Sequence, residues 1–175
     1  VHDPAMPAMR LFSEILGGGM ASRLFQSARE DRGLAYAIDA YHEPYDDTGV
    51  LGIYAGAAAE RSLELARVCA DELRDLTEKG PTEAELSRAR AVLRGGVWMS
   101  DESPASRAGR NAAQTLMFGR PVLSDDTVAR LQAVTADDLK AVGERVLVSR
   151  RAATAVLGPR AAAPAGRAFV ERVAG

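Results

Sequence analysis

Two side chains near the start of this chain, Arg29 and Tyr36, have the types and spacing to handle a carbonyl oxygen. A guanidinium donates up to five hydrogen bonds in a fixed fork, and a phenol donates one from a weak acid. Neither is a strong nucleophile at neutral pH. Together they suit holding carbonyl oxygens and stabilising one that becomes an oxyanion. Composition alone allows a plainer reading. Arg29, in the run Arg-Glu-Asp-Arg, would be part of a solvated face with Glu30 and Asp31 as casual partners, and Tyr36 a core or sheet tyrosine.

Other candidate chemistry is weaker. The histidines are His2 and His42, so neither order of a helical two-histidine zinc motif can be written. His2 sits in the N-terminal stretch, and His42 reads as a surface or partly buried residue near a strand end. Cys69 falls beside the apolar stripe of a helix with no histidine near it in sequence, which is the pattern of a buried inert thiol. Gly17-Gly18-Gly19 lacks the Gly-Lys-Ser/Thr ending of a nucleotide loop. The pairs Asp46-Asp47, Asp125-Asp126 and Asp137-Asp138 fall in a turn or at helix starts, where turn geometry and the helix dipole account for them.

The elements that must position Arg29 and Tyr36 can be read in order. Met6 to Leu16 carries apolar residues at helical spacing, and the three glycines end that helix and let backbone pass close to something. Ser22 to Glu30 reads as a second short helix, broken at Gly33. Ala35 to Tyr45 and Val50 to Ala57 read as two strands joined by a polar turn, an antiparallel hairpin. Alternation puts Tyr36, Ile38 and Ala40 on one face and Ala37, Asp39 and Tyr41 on the other. Gly52 and Gly56 share a face, where a helix or another backbone is expected to pack close.

Glu60 to Lys79 is a long amphipathic helix with the stripe Leu63, Ala66, Ala70, Leu73 and Leu76. Thr82 and Glu85 form a capping box that opens a helix to about Met99, with Leu86, Ala89, Leu93, Val97 and Trp98 inward. Helices follow over Ser106–Phe118 and Asp125–Ala133, and another starts at a Thr135 cap. Ala152 to Leu157 reads as a final strand. The expected class is α+β, a largely antiparallel sheet with several helices on one face. Three strands are few for so many helices; if a first strand belongs before Val1, one sheet edge here is open, and open edges pair with other chains.

The chain has 22 basic and 24 acidic residues, 47% apolar residues and no basic stripe with interleaved aromatics. Nucleic acid is therefore not an expected partner. No apolar run approaches the roughly 18–20 residues of a spanning helix, so no membrane partner is expected. One cysteine excludes an internal disulfide framework. The chain opens on Val1 and reads as a piece of a longer protein. The expected setting is cytoplasmic, with a periplasmic one left open.

The run LGGGMASRLFQSAREDRGLAY, the Asp-Thr-Gly turn, the Gly-x-Tyr-Ala-Gly strand, Pro81-Thr82-x-x-Glu85-Leu86 and Val134-Thr135-Ala136-x-Asp138-Leu139 carry a resemblance. Together they are similar to the C-terminal-half signature of the pitrilysin and mitochondrial processing peptidase family of metallopeptidases, the M16 family. The resemblance covers Asp3 to Gly158. It implies a LuxS/MPP-like metallohydrolase half-domain over residues 1–158, with an Ala/Pro/Arg-rich tail over 159–175. In that family the N-terminal half carries an inverted zinc motif, His-x-x-Glu-His, whose Glu activates water. The C-terminal half lacks the zinc site and supplies an Arg and a Tyr, here Arg29 and Tyr36. By resemblance Tyr36 donates to the scissile carbonyl and Arg29 holds a backbone carbonyl just beyond it.

The resemblance implies no cofactor in this chain and zinc in a missing N-terminal domain. The implied partners are that domain or a partner subunit, and a peptide substrate; a homodimer through an exposed sheet edge is a further expected assembly. Alone, the chain is expected to be inactive. The alternative is a non-catalytic scaffold or regulatory subunit of the same family.

Overall fold

The computed structural model describes residues 1–147 and 152–174. Helix α1 (Met6–Gly17) begins with Pro7 in its first turn, where a missing N–H costs nothing. It buries Leu11, Phe12, Ile15 and Leu16. A short π-helix (Phe25–Glu30) follows the glycine break, then the antiparallel strands β1 (Ala37–Pro44) and β2 (Gly49–Gly56). Gly17 is where α1 meets β1: a Cβ there would land within van der Waals distance of the Ala40 backbone. The close approach expected of the glycine run is thus made by its first member.

Helices α2 (Ser62–Lys79), α3 (Glu83–Glu102), α5 (Ser124–Ala133) and α6 (Ala136–Val146) pack on α1, and α4 (Pro104–Phe118) packs outside them on α3. Both expected caps form. The Thr82 N–H donates to Glu85 Oε2 at 2.7 Å and the Glu85 N–H to Thr82 Oγ1 at 3.2 Å; Thr135 and Asp138 repeat the pattern. Leu24, Leu76, Leu131, Leu139 and Val142 complete the core. The result is α+β and mostly helical, with a two-stranded sheet.

Four expectations need correction. Residues 152–157 join no strand ladder, so the sheet among the described residues has two strands, not three. Ala70, Leu73 and Leu76 of the expected α2 stripe are buried, joined by Leu65, Val68 and Cys69, but Leu63 and Ala66 are only half-buried, because α6 and a C-terminal helix, α7 (Pro164–Ala174), both pack on α2. Helix α3 buries only Leu86 and Ala89; Leu93 and Val97 are half-buried and Trp98 is exposed, so its C-terminal half leaves the core. The expected gap between about Met99 and Ser106 narrows to Ser103. The C-terminal segment forms α7 (Pro164–Ala174), which docks on α2 through Arg172, whose Nε and Nη2 donate to Asp71 at 2.6 and 2.9 Å. Among the described residues no helix is long and apolar enough to cross a membrane.

Candidate functional site

The segment carrying Arg29 is pinned at its start by Arg23. Its Nε and Nη2 donate to the two Glu85 oxygens at 2.7 and 2.9 Å, Nη1 to Asp75 at 3.0 Å, and Nη2 also to the Gly80 carbonyl at 3.1 Å. One mostly buried guanidinium thus ties the π-helix to the end of α2 and the cap of α3. Burial opposes charge on Glu85. The Arg23 fork and the Thr82 cap outweigh it and hold the carboxyl down to about 2.

Downstream, the Gly33 N–H donates to the Arg29 carbonyl at 3.1 Å and the Leu34 N–H to the Ala28 carbonyl at 2.8 Å. Gly33 takes φ +58°, the left-handed conformation that closes this turn without Cβ strain. Leu24 and Ala28 are fully buried, while the adjacent Arg29 is exposed. Its guanidinium lies 4.7 Å from the centre of the Phe25 ring, one turn earlier. Among the described residues it makes no ion pair with Glu30, Asp31 or any other carboxylate.

Tyr36 stands just before β1, where its N–H donates to the Gly56 carbonyl at 2.9 Å. Strict alternation would bury it with Ile38 and Ala40. Those two are buried, but Tyr36 is 69% exposed. Lying outside the ladder, it is free of the pleat, and its ring covers Gly56 on the solvent side. A Cβ on Gly56 would meet Cε2, Cζ and the phenol oxygen at 2.6, 2.7 and 2.9 Å. Gly52 is covered in the same way by the Tyr41 ring. The two strand glycines therefore accommodate tyrosine rings, not the helix or backbone expected from sequence. Tyr54 lies between them and Asp39 pairs opposite it in the register, both exposed. Sequence reasoning singled out neither of these two; the i,i+4 spacing of Phe25 and Arg29 was a readable signal for the ring beneath the guanidinium.

Among the described residues, the histidines and the cysteine are each placed apart, in settings that do not fit a zinc ion. His42 Nε2 lies 3.0 Å from the Met6 sulfur, and burial, with Arg10 and the N-terminal amine, lowers its pKa. His2 meets the Phe118 ring edge-on, and burial pushes the Cys69 thiol up to about 12. Among the described residues no three His, Cys, Asp or Glu side chains are grouped to hold a metal.

Residues 1–93 match the family described as Peptidase M16 inactive domain. The chain belongs to the M16 peptidase family. It is 39% identical over 152 residues to an uncharacterized zinc protease of Streptomyces coelicolor, covering 87% of this chain and 33% of that one. It is 34% identical over 149 residues to the uncharacterized zinc protease YmxG of Bacillus subtilis, covering 85% and 36%. The crystal structure of a peptidase M16 inactive domain from Pseudomonas fluorescens superposes with a TM-score of 0.73 at 30% identity, over 82% of this chain and 34% of that one. The chain therefore spans about a third of the length of these curated relatives.

The Gly56 contact gives a test of the site that leaves Tyr36 unsubstituted. Gly56→Ala in the full-length M16 protein is expected to push the Tyr36 ring off the strand. Misplacing a catalytic group by about 1 Å can cost on the order of 10²-fold in rate. On the role for Tyr36 proposed below, peptide cleavage should fall by about that factor, while circular dichroism melting stays close to wild type, because the displaced ring is exposed.

Proposed function

We propose that this chain is the C-terminal half of a zinc-dependent M16 endopeptidase, and that Arg29 and Tyr36 complete an active site whose zinc-binding groups lie in the N-terminal half or on a partner subunit. One observation carries the reading. A guanidinium and a phenol stand exposed at the two ends of a turn closed by hydrogen bonds, and neither has an acceptor on its own chain among the described residues. Donors held in that way are available to a peptide. Arg29 fits a backbone carbonyl of the substrate, held by charge-assisted hydrogen bonds with Phe25 supporting the fork from below. Tyr36 fits the oxygen of the bond being cleaved, where its O–H meets growing negative charge.

Arg29→Ala in the full-length protein tests the first role. Loss of a hydrogen bond from a charged group costs about 1.5–3 kcal/mol, so kcat/KM for peptide cleavage should fall by roughly 10–100-fold with bound zinc unchanged. Wild-type kcat/KM in that variant would overturn the assignment. A second reading, a non-catalytic subunit, is favoured by α4, which has no buried residue and exposes Leu116, Met117 and Phe118 as a partner-binding helix would. On that reading Arg29→Ala leaves cleavage by the assembled complex untouched.

A further inference from the structure

Helices α1, α3, α4 and α5 enclose a second concave site, a cavity of ≈ 460 Å³ that plays no part in the reading above. Its existence follows from α3 leaving the core past Ala89. Val92, Leu93 and Val97 line this space, Leu93 at its edge against the core, and at Gly96 an added Cβ would meet nothing within 4 Å. Small-molecule pockets run from about 300 to 1,000 Å³, so the space suits a metabolite, not a polypeptide.

The polar groups on the lining are donors in excess of acceptors. Arg110 gives Nη1 to Ser100 Oγ at 2.8 Å and Nη2 to Asp101, but its buried Nε has no acceptor. Gln114 accepts the Val122 N–H at 2.9 Å through Oε1, which leaves its amide NH₂ undirected. Arg10 enters from α1, and no carboxylate accompanies it among the described residues. Burial alone acts on its guanidinium and pulls its pKa down. No carboxylate lines the cavity among the described residues, and Asp101 beside it is already paired to Arg110. A half-buried guanidinium without a counter-charge is poorly solvated, and an acceptor-only anion relieves it.

We propose that this cavity binds a small organic anion, a carboxylate on an aliphatic stem, with the head between Arg10 and Arg110 and the stem along Val92, Leu93 and Val97. Octanoate is the probe, with octanol as its neutral counterpart and inorganic phosphate as an anion without a stem. Binding is measured by isothermal titration and thermal shift on the intact protein.

Octanoate should raise the melting temperature and bind at least about tenfold more tightly than octanol or phosphate, the factor expected for one charge-assisted contact. Arg10→Met removes the free cation and should weaken octanoate by about 10–100-fold. Gly96→Leu fills the space while keeping both arginines, so it should weaken octanoate comparably without disturbing the charged groups. Equal binding of octanol and octanoate would overturn the role of the cations. Phosphate binding as tightly as octanoate would overturn the role of the stem. Wild-type octanoate affinity in both folded variants, or no binding to the wild type at millimolar concentration, would overturn the site.

Discussion

Tyr36→Phe in the full-length protein is expected to lower kcat for peptide cleavage by about 10²–10³-fold, the usual consequence of removing one oxyanion donor. The substitution takes away a single O–H. The ring that covers Gly56 stays, and so does the N–H bond from residue 36 to the Gly56 carbonyl, because both belong to atoms that phenylalanine keeps. The phenol donates to nothing else among the described residues, so no fold-level hydrogen bond is lost. Stability and zinc content should therefore match wild type. A donor used only in the transition state lowers kcat and kcat/KM together and leaves KM alone. The contrast with Arg29→Ala is diagnostic, since a group that grips the ground-state peptide also raises KM. A variant that keeps wild-type kcat would remove Tyr36 from the chemistry and leave the exposed ring as a cover for a strand glycine.

The features legible in the sequence were the local ones. The glycine break after α1, the two capping boxes and the polar turn of the hairpin each rest on residues within a few positions of one another, and each formed as read. What escaped was set by partners far away in the chain. Tyr36 changed face because the β2 strand offered it a glycine to cover, twenty residues on. Val97 and Trp98 have helical spacing with Leu86 and Ala89, but α3 outruns the core, and periodicity does not say where a neighbouring helix stops. The 152–157 segment has strand-like residues, yet a strand is defined by its pairing, which no single segment carries. The choice of Arg29 and Tyr36 came from the family resemblance more than from composition. What the coordinates add is their exposure and their lack of partners on this chain.

Arg23 was the largest omission: it lies within the Ser22–Glu30 helix read from sequence, and its partners lie 52 and 62 positions away. Arg23→Ala is expected to destabilise the protein by roughly 3 kcal/mol, since removing one member of a mostly buried ion pair strands the other. With the Arg23 and Glu85 side chains only 12% and 16% exposed, solvent cannot fully take over the lost contacts. For a chain of this length that corresponds to a melting temperature lower by about 6–12 °C. The pH dependence identifies the partner. Glu85 is held down to about 2 in the folded state, so its contribution is fully present above the ordinary glutamate pKa and is lost as pH falls toward 2. Urea denaturation should therefore show the gap between wild type and Arg23→Ala at full size at pH 7 and shrinking below pH 4. Arg23→Lys keeps the charge but cannot span Glu85, Asp75 and the Gly80 carbonyl together, and should fall between the two. A gap below about 1 kcal/mol at pH 7, the worth of an exposed pair, would mean that the π-helix carrying Arg29 is held by Leu24 and Ala28 alone.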